Sequence, residues 1–284
     1  MVTRLNPGRL LDAASREISV AFLIGFASSI ILALFWITMT AFKSNAELFA
    51  NVWGLPGSLH LENFDHAWTI GGMGSGFLNS VLVAGGGAIG VVALSAPAAY
   101  VLSRGEFRGR EALVNLFAAG MGAPAVLLII PVFLMLNQVG LVDSPMGLIA
   151  VYIGIQVPFT VFLLTGFFAT LPVELEEAAI VDGASEIAVF TRIMLPLARP
   201  GIVTALAFNL IYLWKEFLWG LVLLRSQGHF TLGVALNALR ESMSFTADWV
   251  GLFAAVVVVM GPAIVAYVFL SRRMLDAVAF GSGR

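Results

Sequence analysis

The 284-residue chain is too apolar to coat a soluble globule, because 60% of its residues are hydrophobic and only 11% are charged, with a mean hydropathy of +0.96. Its formal net charge of −2 gives no positive surface for nucleic acid, and the absence of cysteine excludes disulfides and thiolate metal sites. Lipid must therefore be the main solvent of this protein.

Six charge-poor stretches are long enough to cross a bilayer, which takes about 20 helical residues. The first exceeds the apolar region of about 7–15 residues that a cleaved signal peptide has, so we predict an uncleaved anchor. The predicted spans are Ile18 to Phe42, the C-terminal part of Ala67 to Ser103, a segment within Ala112 to Val142, a segment within Ser144 to Pro172, Gly201 to Leu224, and Trp249 to Ser271.

Three of these spans contain features that disturb a helix. Pro124 and Pro131 predict a kink or local opening in the third span, and Pro158 lies inside the fourth. The charged pair Lys215 and Glu216 interrupts the fifth. We predict an all-α, polytopic membrane protein with six transmembrane helices.

The distribution of basic residues predicts the topology. With the N-terminus inside, eleven of the fifteen Lys and Arg residues fall on the cytoplasmic side, which favours cytoplasmic placement of both termini. The predicted parts are a cytoplasmic segment 1–17, a six-helix membrane domain 18–271 with a long polar loop 171–200, and a cytoplasmic tail 272–284. The predicted location is a bacterial or archaeal cytoplasmic membrane.

The polar loop between the fourth and fifth spans concentrates acidic residues. Its segment 176–186 reads EEAAIVDGASE, with four acids in eleven residues. Gly183 divides two helix-sized pieces because glycine accepts the positive φ of a helix end, and Ser185 is a suitable N-cap for the second piece. We therefore predict a helix, a turn and a helix on the inner side of the membrane.

The same loop resembles the EAA-x3-G-x9-I-x-LP signature of permease subunits of binding-protein-dependent ABC importers, through Glu177-Ala178-Ala179, Gly183 and Ile193-Met194-Leu195-Pro196. Four further segments are similar to the carbohydrate, maltose-type subgroup: LHLENF (59–64), GLVDSPMGLI (140–149), ELEEAAIVDGAS (174–185) and TADW (246–249). The resemblance implies a six-helix permease and a coupling helix in the loop.

By the same resemblance, the loop docks on a cytoplasmic ATPase. The residues implied in docking are Glu177, Ala178, Ala179, Asp182, Gly183, Ile187, Phe190, Ile193, Leu195 and Pro196. The alternative is an amphipathic helix resting on the inner leaflet, but such helices usually display Lys and Arg, whereas acids outnumber bases here.

The resemblance also implies the other subunits of an importer: a homologous second permease, two ATPases and an extracytoplasmic solute-binding protein. The only lysines, Lys43 and Lys215, do not follow a glycine-rich phosphate loop, so ATP and magnesium belong to the partner ATPases. We expect no cofactor, catalytic residue or metal on this chain. The pattern G-x-G-x-x-G at Gly85, Gly87 and Gly90 lies inside an apolar span and predicts helix packing.

The fifth span contains the segment YLWKEFLW (212–219), which resembles a Trp-Asn-x-Phe-x-Trp pattern of the family, with Lys215 in place of Asn. Candidate residues of the translocation path are Trp214, Lys215, Glu216, Phe217 and Trp219. The alternative is that Lys215 or Glu216 pairs with a group on a neighbouring helix, because unpaired charge inside a bilayer is costly.

The expected function is transport of a sugar or related polyhydroxylated solute along a path shared with the second permease. Two alternatives remain at this point. The chain could be an ion-coupled secondary transporter that uses Lys215 and Glu216, or an ABC permease for a non-sugar solute such as glycerol phosphate. The sequence itself leaves the solute and the identity of the partner chains open.

Overall fold

The computed structural model describes the backbone of residues 7–281 and the side chains of residues 16–242 and 247–269, and all regular elements in these ranges are helical. The first seven α-helices are α1 (Pro7–Ala41), α2 (Asn45–Ala50), α3 (Glu62–Thr69), α4 (Met73–Arg104), α5 (Arg110–Gly122), α6 (Ile129–Gln138) and α7 (Pro145–Ala169). The others are α8 (Glu174–Val181), α9 (Glu186–Val189), α10 (Leu195–Leu197), α11 (Arg199–Lys215), α12 (Leu218–Leu223), α13 (Leu232–Thr246) and α14 (Trp249–Gly281).

Four helices in the described part of the chain are long and apolar enough to cross a membrane unbroken: α1, α4, α7 and α14. Two further candidates are bent pairs. Helix α5 meets the segment Ala125–Gln138 at 92°, and the segment Glu186–Leu197 meets α11 at 73°. The all-α prediction is confirmed, and four to six spans are compatible with the predicted six.

The prolines act differently from one another. The predicted kink occurs at Pro124, where α5 has ended and a 3₁₀ turn, Ala125–Leu128, begins. Pro131 lies in the first turn of α6, where a missing N–H removes no helical hydrogen bond, and it opens nothing. Pro158 lies within α7, which continues to Ala169.

The predicted boundaries at 17/18 and 271/272 do not interrupt a helix. Helix α1 runs through the first boundary, and α14 runs through the second to Gly281. Residues 1–6 and 282–284 of the predicted terminal segments lie outside the described residues. By packing, the chain divides into two units, residues 1–67 with 242–257 and residues 68–241 with 258–284.

The first unit contains a buried lysine. Lys43 is only 2% exposed, and its ammonium donates to the carbonyl oxygens of Asn51 (3.0 Å) and Val52 (3.2 Å). Trp36 donates its indole N–H to the same Val52 oxygen at 3.0 Å. The charge of a lysine that the sequence places at the end of a span is therefore stabilised by two backbone carbonyl oxygens.

Two of the family-like segments cap helices in this unit. Asn63, within LHLENF, donates to the carbonyl oxygens of Ala41 (2.9 Å) and Lys43 (2.8 Å) at the end of α1. Asp248, within TADW, accepts the Gly251 N–H at 3.1 Å in the first turn of α14. Both side chains satisfy backbone groups that a helix end leaves without a partner.

The larger unit is centred on the contact between α4 and α7, with α11 against both. A Cβ atom at Gly90 would lie 2.6 Å from the Ile153 side chain, and one at Gly87 would lie 2.8 Å from that of Leu213. These glycines therefore let α7 and α11 approach α4 closely, as predicted from the G-x-G-x-x-G pattern.

The segment GLVDSPMGLI starts α7 and holds a second loop in this unit. Ser144 is the N-cap of α7, while Asp143 accepts the backbone N–H groups of Arg225 (2.8 Å) and Ser226 (2.9 Å). Hydrogen bonds from the Ser226 side chain and from these N–H groups hold the pKa of Asp143 well below its usual range. The carboxylate thereby joins the start of α7 to the chain that follows α12.

We predict that Gly147→Ala destabilises the subunit, whereas Gly154→Ala on the same helix does not. A Cβ atom at Gly147 would overlap the carbonyl oxygen of Leu141, while one at Gly154 meets nothing within 4 Å. Because backbone must move to relieve the first overlap, the expected cost is about 1–3 kcal/mol. Thermal unfolding of the detergent-purified chain measures the difference, and equal midpoints for both variants would contradict this packing.

Candidate functional site

The loop 171–200 begins with the predicted helix, turn and helix. Helix α8 ends at Val181, Gly183 adopts a φ of +85°, and Ser185 accepts the Ala188 N–H at 3.3 Å as the N-cap of α9. The predicted roles of Gly183 and Ser185 in local structure are confirmed. The short α8 is thereby separated from α9 by a turn that a residue other than glycine would strain.

The second helical piece is less regular than the sequence predicted. Helix α9 passes into a π-helical turn, Phe190–Met194, before α10 and α11. Pro196 supplies the reason, because it has no N–H and its ring displaces the carbonyl of Arg192, four residues earlier. The Leu195 N–H instead donates to the carbonyl of Phe190.

One side of the loop packs into the chain's own core. Ala179, Val189, Met194 and Ala198 are buried in one cluster with residues of α4 and α7. Among the residues expected to dock on an ATPase, those in contact with this cluster are Ala179, Phe190, Ile193 and Leu195. The loop is therefore built on a packed base and not suspended from its two ends.

The other side of the loop is exposed and partly apolar. Ile187 is 77% exposed and Val181 86%, and Ile180 and Leu175 are also exposed. The expected docking residues on this side are Glu177, Ala178, Asp182, Gly183 and Ile187. Pro196 is also exposed, but it lines an apolar cavity with residues of α4 and α11. Exposed acids, among them Glu174 and Glu186, surround the docking residues of this side. We call this the outer face of the loop; apolar side chains ringed by charge are typical of a protein-binding surface.

Glu176 is largely buried and is not part of the outer face. It lies beneath the outer face, where Tyr100 of α4 donates its hydroxyl to Oε1 at 2.6 Å and Arg104 Nε lies 3.5 Å from Oε2. Sequence reasoning grouped it with the solvent-facing acids. The available signal was a tyrosine and an arginine four residues apart, Tyr100 and Arg104, at the end of the second span.

The fifth span is broken where the charged pair predicted an interruption. Helix α11 ends at Lys215, and α12 begins at Leu218. Glu216 stabilises the break: its Oε1 accepts the Trp219 N–H at 3.0 Å, and its Oε2 accepts the Tyr152 hydroxyl of α7 at 2.6 Å. The carboxylate thus caps α12 and fixes the break to α7, as charge inside a bilayer requires.

The five candidate path residues are not brought to one surface. Trp219 is 3% exposed within a core cluster, and Trp214 packs edge-to-face with Phe77 at 6.1 Å. Phe217 is half-buried beside Gly233. Lys215 is exposed and, within the described side chains, has no carboxylate at ion-pairing distance. Only Lys215 offers a free charge from this segment.

A polar row that the sequence reasoning missed continues along α7. Tyr152, Gln156 and Thr160 share one face by their spacing of four, and Asn209 of α11 donates to Thr160 Oγ1 at 2.9 Å. The signal was three polar residues spaced four apart in a largely apolar span. In the described residues, no group of three His, Asp or Glu side chains is arranged to hold a metal ion.

We predict that Glu216→Ala destabilises the purified chain, whereas Lys215→Ala leaves its melting temperature unchanged. The Glu216→Ala change removes a charged acceptor and the two hydrogen bonds that it accepts, each worth about 1.5–3 kcal/mol, whereas Lys215 makes no such contact here. Thermal unfolding of both variants in the same detergent tests this. A larger effect at Lys215 would mean that the break is held in another way.

The fold and site define a polytopic, all-helical transport subunit. Residues 92–277 match the family described as "Binding-protein-dependent transport system inner membrane component", which covers the loop, the broken span and more than half of the chain. The chain belongs to this family. It is an inner-membrane, multi-pass permease subunit of an ABC importer and not an enzyme, since ATP hydrolysis resides on a separate subunit.

Individual relatives agree with this assignment. The chain is 38% identical to the diacetylchitobiose uptake system permease protein NgcG of Streptomyces coelicolor, covering 96% of this chain and 90% of that one. It is 27% identical to the melibiose/raffinose/stachyose import permease protein MelC of Bacillus subtilis, covering 87% and 90%. The fold matches a chain of a bacterial alginate ABC importer with a TM-score of 0.78 at 21% identity, covering 96% and 99%.

Proposed function

We propose that this subunit forms, with a homologous second permease, the path by which an ABC importer takes up a sugar or oligosaccharide. The observation that carries the proposal is the outer face of the loop, where exposed apolar and acidic side chains stand on a packed base. The relatives named for diacetylchitobiose and for melibiose, raffinose and stachyose support the solute class.

The outer face is the docking surface for one of two cytoplasmic ATPases, which bind ATP and magnesium. Val181 and Ile187 are almost fully exposed in the isolated chain, so burying them against a protein gains hydrophobic free energy. An anionic leaflet is the wrong partner, because Glu177, Asp182 and Glu186 would face like charge. The buried members of the signature, such as Ala179, keep this surface in shape.

Orientation follows from the basic residues, most of which lie on one side of the predicted spans. Segment 1–17, loop 171–200 and tail 272–284 are then cytoplasmic, and the membrane domain is 18–271. The opposite side receives the solute-binding protein that the family description names. The chain thus contacts the ATPase and the binding protein on opposite sides of the membrane.

Transport proceeds by alternating access. ATP binding draws the two ATPases together, moves the docked loops and favours the outward-facing state, in which the binding protein delivers the solute; hydrolysis then resets the assembly. Each partner acts by binding one state better than the other. An ion-coupled mechanism would instead use Glu216, whose two oxygens are already engaged by Tyr152 and Trp219. Uptake into vesicles driven by ATP, with no ion gradient, distinguishes the two mechanisms.

We predict that Ile187→Asp abolishes copurification of the ATPase and reduces transport, while Ile187→Val leaves both unchanged. The aspartate would place charge in the centre of the docking surface, where anchor residues contribute about 2 kcal/mol or more. Because Ile187 is exposed, neither variant should alter the stability of the isolated chain. Glu177→Lys should act like Ile187→Asp. Normal ATPase binding by both Ile187→Asp and Glu177→Lys would exclude the outer face as the docking surface.

We predict that Lys215→Met lowers transport by about tenfold or more. An unpaired cation in a span is costly, so we expect it to pair with an acid of the second permease or to contact the solute. Copurification of the second permease separates the two roles. Loss of copurification indicates an ion pair between permeases, whereas an intact complex with ligand-stimulated ATP hydrolysis indicates contact with the solute. Normal transport would exclude Lys215 from both roles.

The solute class is identified by a separate experiment, in which the melting temperature of the copurified binding protein is measured with sugars, polyols and glycerol phosphates.

A further inference from the structure

The C-terminal end of α4 is joined to α7 and α8 by a cluster of three polar side chains, Tyr100, Arg104 and Glu176. Tyr100 and Arg104 both contact the Glu176 carboxylate. The Arg104 guanidinium also donates through Nη2 to the carbonyl oxygen of Leu171, just beyond the end of α7. One charged pair therefore connects three helices.

The cluster is enclosed and well placed electrostatically. The side chains of Arg104 and Glu176 are 16% and 14% exposed, although the outer face directly above them is open to solvent. The cation lies in the last turn of α4 and the anion in the first turn of α8, where each complements the helix dipole. Because the pair is enclosed, water screens the attraction between its charges only slightly.

Aromatic packing fixes the tyrosine that completes the cluster. The Tyr100 ring lies 5.7 Å from that of Phe168 on α7 and 5.1 Å from that of Phe190 in the π-helical turn. Its hydroxyl is thus held at the Glu176 carboxylate by rings on two other elements. Removing only the hydroxyl would leave this stack in place.

We propose that Glu176 is a positioning residue that transmits displacement of the loop 171–200 to α4 through Tyr100 and Arg104. This inference rests on the proposed docking of the outer face on an ATPase. Helix α8 is linked covalently to α7 and, through α9 and α10, to α11, but to α4 only by packing and by this cluster. Apolar packing alone permits sliding, whereas a charged hydrogen bond fixes direction and register.

This role has a consequence that a docking role lacks. Loss of a docking residue removes the ATPase, so hydrolysis in the complex and transport are lost together. Loss of the cluster leaves the outer face intact, so the ATPase still binds and hydrolyses, while α4 no longer follows α8. The expected defect is therefore uncoupling, with ATP hydrolysed and solute not moved.

The test uses the complete importer, with both permeases, ATPases and binding protein, reconstituted in vesicles. Glu176→Gln, which removes the negative charge, and Tyr100→Phe, which removes the hydrogen-bond donor, should each retain copurified ATPase and its hydrolysis, while solute moved per ATP falls by about tenfold. Glu111→Gln, the same change at an exposed position on α5 and outside the outer face, should leave the ratio unchanged. Because Tyr100→Phe keeps the ring stack, it tests the link if Glu176→Gln lowers the yield.

A distance measurement separates transmission from mere stabilisation. The chain has no cysteine, so Glu106→Cys and Val173→Cys, both at exposed positions outside the outer face, can carry a pair of spin labels. The label distance should stay fixed when ATP binds the otherwise wild-type complex and should change with ATP in Tyr100→Phe. A normal transport ratio, a fixed distance in the variant, or loss of the ATPase from both variants would overturn the inference. Failure of the wild-type chain to bind any ATPase would instead refute the proposed function.

Discussion

The close approach of α4 to α7 is the contact on which the rest of the larger unit depends. Glycines on α4 let side chains of α7 and α11 reach its backbone, so dispersion contacts replace the hydrophobic force that lipid cannot supply. Both ends of α7 are then used. Its N-terminal end begins beside Asp143, which holds the chain after α12, and its C-terminal end leads directly into the loop 171–200.

A second constraint is that breaks in a membrane helix must satisfy their own backbone groups. At the break between α11 and α12, Glu216 accepts the N–H of Trp219 and reaches the hydroxyl of Tyr152. At the end of α1, Asn63 donates to the carbonyl oxygen of Ala41, and the Lys43 ammonium donates to that of Asn51, just after α2. These polar side chains thus lie at helix ends and breaks, where a purely apolar sequence would leave donors and acceptors unpaired.

The sequence predicts this architecture well where local chemistry decides. Span length, the break at Lys215 and Glu216, the turn at Gly183 and the cap at Ser185 follow from hydropathy, charge, φ preference and hydrogen bonding within a few residues. Each of these features is fixed by neighbours along the chain. They needed no knowledge of which helices meet.

The sequence predicts orientation about the helix axis poorly. In a membrane span both the lipid-facing and the protein-facing sides are apolar, so hydropathy does not show that Trp219 enters a core cluster. The same limit applies to Glu176, whose inward position depends on Tyr100 and Arg104, more than seventy residues away in sequence. The π-helical turn before Pro196 was also missed, since a proline predicts that a helix is disturbed but not what kind of turn results.

This limit explains how a short signature can serve two purposes. Ala179 packs beneath the loop, whereas Ile187 and Glu177 face outward, although all three belong to one set of expected docking residues. A surface that receives force from a partner must not yield under it, so small buried residues and an enclosed ion pair are needed below the exposed ones. In the proposed mechanism, docking and transmission are separate physical tasks, carried out by opposite sides of the same short helices. A substitution in the signature is interpretable only once its side is known.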